Sequence, residues 1–409
     1  MDAFFVSCER TVRKDLQNIP VAVARNSKRA IATALSQEAK QLGAKVGSPI
    51  FLIKEFIPNI KIVQPNLELY TLISIRIFNF ISREYLVDVE PYSIDECYVD
   101  FTKYIKNRNI DPELLAWEIR DKIKNNLSIP CSIGIGHNKF IAKMSTNIAK
   151  PTGVKWTKPS DIERHFYDLP IEKFFGIGKG YAPKLKEIGI LTVGDFANYK
   201  NTFLLQKIMG KNFYLKQQQI KGITVDKLEK NHDSVKGVGN SLTFMEGDIV
   251  EEPRLLNELK RLCDKISQRM SRRHISGKVV VLEIRNLEKQ WNTYQTSLEK
   301  YINKKEDIYQ AIMELFWHNW DRNPLRGVGV RITSLISNNQ KNNYIDIFSK
   351  PKNVIDEIES SVNEVFDKKV IYKASSLENK TNQKRVHSNR FNIEDYDNSL
   401  FKKINITKE

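Results

Sequence analysis

Two adjacent carboxylates, Asp95 and Glu96, are the strongest chemical signal in the sequence. They lie in YSIDECYVD (92–100), between two apolar runs that are typical of β-strands. Carboxylates in apolar surroundings are unfavourable unless a cation neutralises them, and hard oxygen ligands suit Mg²⁺. Neighbouring strand residues point to opposite faces, so both acids reach one cluster only if the strand bends there. The pattern favours a metal site, and a pair of solvated turn acids is the alternative.

Two further segments carry groups that could bind phosphate. One predicted helix and its C-terminal end carry three lysines, Lys139, Lys143 and Lys150. The polar segment SQEAK (36–40), with Gln37 and Lys40, lies at a predicted helix start, where backbone N–H groups can hold an anion. Alone, each segment is also compatible with an ordinary solvated surface.

The segment FFGIGKGYAPKLKEIGILTVGDF (174–196) has the helix–hairpin–helix pattern, in which a tight turn joins a short helix to one that contains Leu185. The turn holds three glycines and one lysine: Gly176, Gly178, Lys179 and Gly180. Glycine lets the backbone approach a phosphate closely, and turn N–H groups bind DNA phosphates without reading sequence. The pattern favours a DNA-backbone site over an ordinary glycine-capped turn.

The charge balance indicates a polyanionic partner. The 409 residues include 65 Lys and Arg against 49 Asp and Glu, which gives a formal net charge of +16. The excess is spread along the whole chain and is not confined to one tail. This distribution fits a protein that holds nucleic acid with several domains, and a basic protein without such a partner is the alternative.

Composition also excludes several classes of protein. A chain with 41% hydrophobic residues is too apolar to be disordered throughout. No apolar run approaches the roughly 20 residues of a membrane span, so no membrane partner is expected, and MDAFFVSCER lacks a signal-peptide pattern. The four cysteines lie far apart and fit neither a disulfide framework nor a zinc site, which indicates a reducing, cytoplasmic location.

The order of patterns divides the chain into four segments. Residues 1–160 alternate short apolar runs with helical stretches, and residues 161–230 are helical with short loops. Residues 231–340 form a second α+β unit, and residues 341–409 form a polar tail. The polar segment 228–240 predicts a linker between the second and third segments.

Periodicity and turn residues locate the main elements within these segments. The predicted strands are 21–24, 31–34, two runs around Pro91 within 87–101, 132–136, 241–246, 278–285 and 328–336. The predicted helices are 36–43, 68–85, 112–126, 253–274 and 305–320.

Several motifs, taken together and in order, resemble the Y-family translesion DNA polymerases, specifically the bacterial UmuC/DinB-like group. The resemblance covers roughly residues 1–340. The motifs near the start of the chain favour the UmuC branch of this group. The motifs are MDAFFVSCER, SQEAKQLGAKVGSP, YSIDECYVD, NKFIAKMSTNIAKPTG, the helix–hairpin–helix and RNPLRGVGVRITSL. A helix–hairpin–helix glycosylase would leave YSIDECYVD and the second α+β unit unexplained.

The resemblance implies a ferredoxin-like palm with small fingers over 1–160, its first strand truncated. It also implies a helical thumb over 161–230 and a tethered α+β little finger over 231–340. The implied activity is error-prone, template-directed DNA synthesis past lesions, without proofreading, in DNA damage tolerance and repair. The implied substrates are primer–template DNA and deoxynucleoside triphosphates, and two Mg²⁺ ions are the implied cofactors.

The resemblance also assigns roles to individual residues. Asp95 and Glu96 would bind the metal ions. Phe4 and Phe5 would bind the nucleotide, and Phe5 would lie under its sugar and reject a 2′-hydroxyl by size. Lys150 would reach the triphosphate. A Tyr and an Arg that bind triphosphate in many members correspond to Gln37 and Lys40 here, so nucleotide affinity is expected to be weaker, because lysine lacks the bidentate fork of arginine.

One departure from the family concerns the metal site. Family members begin with an apolar strand that ends in Asp-x-Asp, whereas Met1 holds the x position here and Asp2 holds the second Asp. Asp2 is therefore a doubtful third ligand. We expect the natural start to lie upstream, and a non-catalytic DNA- and clamp-binding adaptor is the alternative.

A second departure concerns the tail, where NYIDIF (343–348) resembles the sliding-clamp-binding peptide of family members without its leading Gln. Ile345, Ile347 and Phe348 would fill an apolar groove on the clamp. The alternative is a short segment that packs back on its own domain.

Overall fold

The computed structural model describes residues 1–229 and 235–338, which form two compact units, each with its own core. Both units mix helices and strands, which confirms the predicted α+β class. The predicted tail 341–409, with its candidate clamp peptide, lies outside the described residues. In the described part of the chain, no helix has the length and apolar character needed to cross a membrane.

The first unit opens with a small sheet and four helices. In chain order the elements are α1 (Phe4–Val12), β1 (Val21–Val23), β2 (Ala34–Leu35), α2 (Gln37–Gln41), α3 (Ile50–Phe56), β3 (Lys61–Val63) and α4 (Leu67–Tyr85). The sheet order is β2–β1–β3, with β3 parallel to β1 and β2 antiparallel to it. Val21 and Val23 are fully buried and pack in one cluster with Val6 of α1.

Two separate strand pairs follow in the first unit. The elements are β4 (Val89–Pro91), β5 (Cys97–Val99), α5 (Thr102–Arg108), α6 (Pro112–Leu127), β6 (Ile133–Ile135), α7 (Lys139–Ala149) and β7 (Val154–Trp156). The pair β4–β5 is antiparallel and the pair β6–β7 is parallel. A ferredoxin-like palm would join these strands in one sheet. The single palm sheet therefore stays a prediction.

Residues 159–220 of the first unit are largely helical, whereas residues 223–229 of the predicted helical segment 161–230 belong to no helix. Single helical turns at 159–161, 163–167 and 171–173 precede four helices, α8 (Ala182–Glu187), α9 (Val193–Asn198), α10 (Thr202–Met209) and α11 (Asn212–Ile220). Their core centres on Phe166, Phe174 and Phe196, which are buried. The turn at 171–173 is the first helix of the predicted helix–hairpin–helix, and the buried Leu185 of α8 lies in the second.

The second unit packs two helices on one four-stranded sheet. Its elements are β8 (Gly237–Thr243), α12 (Glu252–Arg272), β9 (Ile275–Arg285), β10 (Trp291–Ile302), α13 (Lys305–Asn319) and β11 (Gly327–Ser337). The sheet order is β10–β9–β11–β8, antiparallel throughout. The predicted apolar stripe of α12 is buried in the core: Leu255, Leu259, Leu262 and Ile266.

Side-chain caps explain why α4 and α6 begin close to where the sequence predicted. The Asn66 side chain accepts a hydrogen bond from the N–H of Leu69 at the start of α4. The Asp111 side chain accepts from Glu113 and Leu114 before α6, which has Pro112 in its first turn. Such caps satisfy backbone donors that a helix end leaves unpaired.

The strand predictions need correction at two boundaries, and the strands β3, β7 and β10 were not predicted. The predicted linker 228–240 extends too far along the chain, because β8 begins at Gly237. A Cβ at Gly239 would lie 2.8 Å from Arg331 Cβ, so glycine at 239 permits the close pairing of β8 with β11. Of the predicted strand 31–34, only Ala34 is in a strand, since Ile31 forms just an isolated bridge with Pro49, which lacks an N–H. The edge strand β10 was missed because its sequence is mostly polar.

We expect Leu259→Ala to lower the free energy of unfolding by about 2–5 kcal/mol, because it leaves a cavity under the buried stripe of α12. Arg254→Ala, at an exposed position of the same helix, should change it by less than about 0.5 kcal/mol. Urea denaturation followed by circular dichroism measures both. Equal midpoints for the two variants would contradict the assignment of this stripe to the core.

Candidate active site

The two central carboxylates lie in the turn between β4 and β5, not inside a strand. The backbone N–H groups of Tyr92 and Ser93 donate to Glu96 O at 2.8 and 3.0 Å and close this turn. The Ser93 hydroxyl donates to Asp95 Oδ1 at 2.8 Å. Strand alternation therefore does not separate Asp95 from Glu96, and the bend that the sequence analysis required is this turn.

Helix α7 supplies the cations that face Glu96. Lys143 Nζ lies 2.5 Å from both carboxylate oxygens of Glu96, and Lys150 Nζ lies 3.9 Å from one of them. The Lys143 and Glu96 side chains are 13% and 25% exposed, so water screens this pair little. Lys139, one turn earlier on α7, instead pairs with Glu90 of β4 at 2.7 Å. The three predicted lysines are thus not a solvated face, and two of them converge on Glu96.

Asp2 does not join Asp95 and Glu96 in a three-carboxylate cluster. Its Oδ2 accepts hydrogen bonds from the Ser132 hydroxyl at 2.7 Å and from the Thr152 N–H at 2.8 Å. Over residues 1–229 and 235–338, no group of three or more His, Cys, Asp or Glu side chains is arranged to hold a metal ion. Asp95 and Glu96 still fit Mg²⁺ by their chemistry, because this ion commonly takes two carboxylates and completes its shell with phosphate and water.

An apolar cavity of about 320 Å³ lies against the acidic turn. Its lining includes Asp95, Glu96, Lys143 and Lys150, together with apolar side chains of α4 and α6. Cys97 and Cys131 also line it, and burial raises the pKa of Cys97 to about 12 and that of Cys131 to about 11. Both thiols are therefore protonated near neutral pH in this site.

Phe5 offers a supported, partly exposed ring beside the start of α1. It stacks on the buried Tyr70 of α4, with ring centroids 4.4 Å apart and planes 14° apart. The Tyr70 hydroxyl donates to Glu9 Oε1 at 2.7 Å, and burial, helped by this carboxylate, raises the pKa of Tyr70. Phe4 is only 4% exposed, so it presents little surface to a ligand.

Sequence reasoning missed Tyr70 and Glu9. The signal was the spacing of Phe5 and Glu9, four residues apart on one helix, which places both side chains on the same face. Because Glu9 shares the face of Phe5, its carboxylate needs a buried hydrogen-bond donor.

Gln37 and Lys40 lie one turn apart on the exposed face of the short helix α2. The Ser36 hydroxyl caps this helix by accepting from the Ala39 N–H at 3.3 Å. Glu38 pairs with Arg10 at 3.0 Å, which fixes α2 to α1. The two predicted nucleotide-binding side chains are accessible and lie on a helix that is held in place.

The glycine turn of the helix–hairpin–helix is exposed and anchored by Ile177, which is 2% exposed. Gly176 has φ of 88°, and a Cβ there would lie 2.5 Å from Lys216 Nζ. A Cβ at Gly178 or Gly180 would meet nothing within 4 Å. The fold therefore requires glycine at 176 only, and Gly178 and Gly180 leave open space next to the exposed Lys179.

Two family models match the chain. The impB/mucB/samB family model matches residues 1–147, and the model of the C-terminal domain of that family matches residues 235–344. DNA polymerase IV 1 of Bacillus subtilis is 31% identical over 400 residues, covering 96% of this chain and 95% of the relative. DNA polymerase IV of Oceanobacillus iheyensis is 32% identical over 354 residues, covering 85% of this chain and 83% of the relative.

Solved structures share the fold. A Y-family DNA polymerase chimera of Dbh and Dpo4 matches with a TM-score of 0.72 and 23% identity, covering 82% of this chain and 98% of the other. An insertion ternary complex of Dbh DNA polymerase matches with a TM-score of 0.56, the same identity and the same coverage. The expected lean towards the UmuC branch is not confirmed, since the relatives named here are DNA polymerases IV. The chain belongs to the impB/mucB/samB family, which is the Y-family of DNA polymerases.

Proposed function

We propose that this Y-family DNA-directed DNA polymerase extends primers past damaged template positions by two-metal nucleotidyl transfer. The observation that carries the proposal is the acidic turn, where Asp95 and Glu96 lie side by side against Lys143 and Lys150. Two carboxylates and two ammonium groups at one site suit a polyphosphate that binds together with divalent cations. A solvated pair of turn acids needs no such partners, whereas here Lys143 of α7 and Lys150, which follows α7, both face Glu96.

The chain's own residues would divide the work as follows. Asp95 and Glu96 would hold two Mg²⁺ ions, which lower the pKa of the primer 3′-hydroxyl and neutralise charge on the phosphates when bound. Ser93 would orient Asp95 through its hydrogen bond of 2.8 Å. Lys143 would fix the Glu96 carboxylate, and Lys150 would bind the triphosphate together with Gln37 and Lys40.

The nucleotide sugar would lie on Phe5. Because Tyr70 and Glu9 hold this ring from below, Phe5 cannot easily move away from an added 2′-hydroxyl. Exclusion by size at this position would make the enzyme select deoxynucleotides. Phe4 would support α1 from the core and would not contact the nucleotide directly.

DNA binding would rest on backbone contacts. The turn with Gly176, Gly178, Lys179 and Gly180 would donate N–H groups to phosphates, and the net charge of +16 would strengthen binding at low salt. We also propose that Ile345, Ile347 and Phe348, which lie outside the described residues, bind a sliding clamp. The support for this last role is the sequence pattern alone.

We expect Asp95→Asn to lower the rate of primer extension with Mg²⁺ by about 10²–10⁴-fold, because one anionic ligand of the ions is lost. Asp100→Asn is the control, since Asp100 lies after the same hairpin and accepts a hydrogen bond from the Thr102 N–H at 2.9 Å. It should change the rate by less than about threefold. Fluorescence anisotropy should show unchanged DNA binding for both variants.

Two results would contradict this assignment. Equal rates for Asp95→Asn and the parent chain would exclude Asp95 as a metal ligand. Salt-dependent DNA binding without primer extension in the parent chain, on undamaged and abasic templates, would favour the non-catalytic adaptor.

We expect Phe5→Ala to reduce the preference for deoxynucleotides over ribonucleotides by about 10–200-fold, because the space for a 2′-hydroxyl opens. The ratio of kcat/KM values for the two nucleotides measures this preference. Phe5→Tyr keeps the ring and should leave the ratio within about threefold of the parent value. An unchanged ratio in Phe5→Ala would remove Phe5 from sugar recognition.

We expect Gly178→Ala to weaken DNA binding by about tenfold, which corresponds to one lost phosphate contact. The fold should not change, because the added Cβ would meet nothing within 4 Å in the free protein. Gly247→Ala, with equally open surroundings in the second unit, is the matched control. Anisotropy at two salt concentrations and thermal melting separate binding from stability, and equal affinities for the two variants would contradict the phosphate role of this turn.

A further inference from the structure

Residues 222–229, which follow α11, lie extended along the N-terminal end of α7. Their exposure alternates: Gly222, Thr224, Asp226 and Leu228 are half-buried, whereas Ile223, Val225, Lys227 and Glu229 are exposed. A period of two is that of an extended chain with one face on a surface. The segment therefore packs one side against the first unit, although it belongs to no strand.

The half-buried side of this segment contacts three consecutive residues before and at the start of α7. His137 Nε2 donates to Gly222 O at 2.9 Å. The Asn138 amide donates to Thr224 Oγ1 at 3.1 Å and to Thr224 O at 3.4 Å. The contacts form a ladder. Every second residue of the segment contacts the next residue in sequence on the palm.

The third rung of the ladder is the strongest. The backbone N–H of Lys139, the first residue of α7, donates to Asp226 Oδ2 at 2.7 Å. A carboxylate at this end of a helix also interacts favourably with the helix dipole. Asp226 is thus held by a charge-assisted hydrogen bond.

A buried carboxylate makes the last contact. Glu90 Oε2 accepts from the Glu229 N–H at 2.7 Å and lies 2.7 Å from Lys139 Nζ. The Glu90 side chain is only 8% exposed, and a carboxylate at that depth must be paired and hydrogen-bonded. The segment therefore supplies a hydrogen bond that this buried carboxylate needs.

Gly222 fixes where the extended run begins. Its φ of 72° lies in the left-handed region, and a Cβ would lie 2.5 Å from His137 Nε2 and 2.9 Å from Ile162 Cδ1. Glycine is therefore the residue that permits both this conformation and the close approach to His137.

We propose that Glu90, His137, Asn138 and Lys139 form an anchor that holds residues 222–229 on the palm and so sets the length of the connector to the second unit. With the anchor engaged, the chain between the anchor and the next described residue, from Glu229 to Val235, spans at most roughly 20 Å. With the anchor released, it would run from Ile220 and span roughly 50 Å. The effective concentration of the second unit near DNA bound to the first falls with about the −3/2 power of connector length. Release of the anchor would therefore lower this concentration by about fourfold.

Hydrogen exchange of residues 222–229 in the full chain tests the anchor without using activity. Asp226→Ala changes only the segment, and we expect exchange there to become about tenfold faster, as for loss of one charge-assisted hydrogen bond. Lys227→Ala, whose side chain faces outward in the same segment, should exchange like the parent. Equal exchange for the two variants would overturn the anchor.

Gly222→Ala provides a second way to release the anchor, because the added Cβ would separate the segment from His137. We expect exchange over residues 222–229 to accelerate there as well, while exchange in α4 and α6 stays unchanged. Protection of 222–229 that persists in both Gly222→Ala and Asp226→Ala would also overturn the proposal.

The functional consequence rests on the proposed polymerase activity. The double variant Gly222→Ala/Asp226→Ala should add about fourfold fewer nucleotides per DNA-binding event, while its single-turnover rate at saturating nucleotide stays within about twofold of the parent. Faster exchange with an unchanged number of nucleotides would overturn the connector role. If the parent chain extends no primer, the proposed activity fails, and the exchange experiment still decides the anchor.

Discussion

The acidic turn depends on two ion pairs that join hairpin β4–β5 to α7. Glu90 pairs with Lys139, and Glu96 pairs with Lys143. The two lysines are four residues apart, so they lie on one face of the helix, one turn from each other. Breaking the Glu90–Lys139 pair would leave a buried carboxylate without its cation, which is strongly destabilising. Breaking the Glu96–Lys143 pair would leave Glu96 facing the more distant Lys150 at 3.9 Å. The position of Asp95 follows from these pairs, because it lies within the turn that Glu96 closes.

Helix α7 also explains why the palm and thumb segments share one compact unit. Its apolar side, with Phe140, Ile141 and Met144, lies in the same core as the thumb helices. Its polar side holds the acidic turn, and its first residues hold the segment 222–229. A displacement of this helix would therefore act on the carboxylates and on the chain that leaves the thumb together.

The sequence predicted elements where caps are explicit, as in α4 and α6, and where apolar periodicity is strong, as in α12. It could not predict the edge strand β10, whose stability comes from pairing with β9 and not from its own mostly polar residues. Within the site, adjacency of Asp95 and Glu96 was readable from the chain. The partners of Asp2, Lys139 and Glu9 were not, because they lie 49 to 150 residues away and depend on tertiary packing.

Charge balance links the acidic turn to the ligands proposed for it. Asp95 and Glu96 carry two negative charges, and Lys143 and Lys150 carry two positive charges, so this group is neutral before any ligand binds. A nucleoside triphosphate carries about four negative charges, and two Mg²⁺ ions carry four positive charges, so the pair is also neutral. Binding both together adds no net charge to these four side chains, whereas binding either alone adds about four charges to a partly buried site. At the proposed site, this charge balance would favour joint binding of metal ions and nucleotide over binding of either alone.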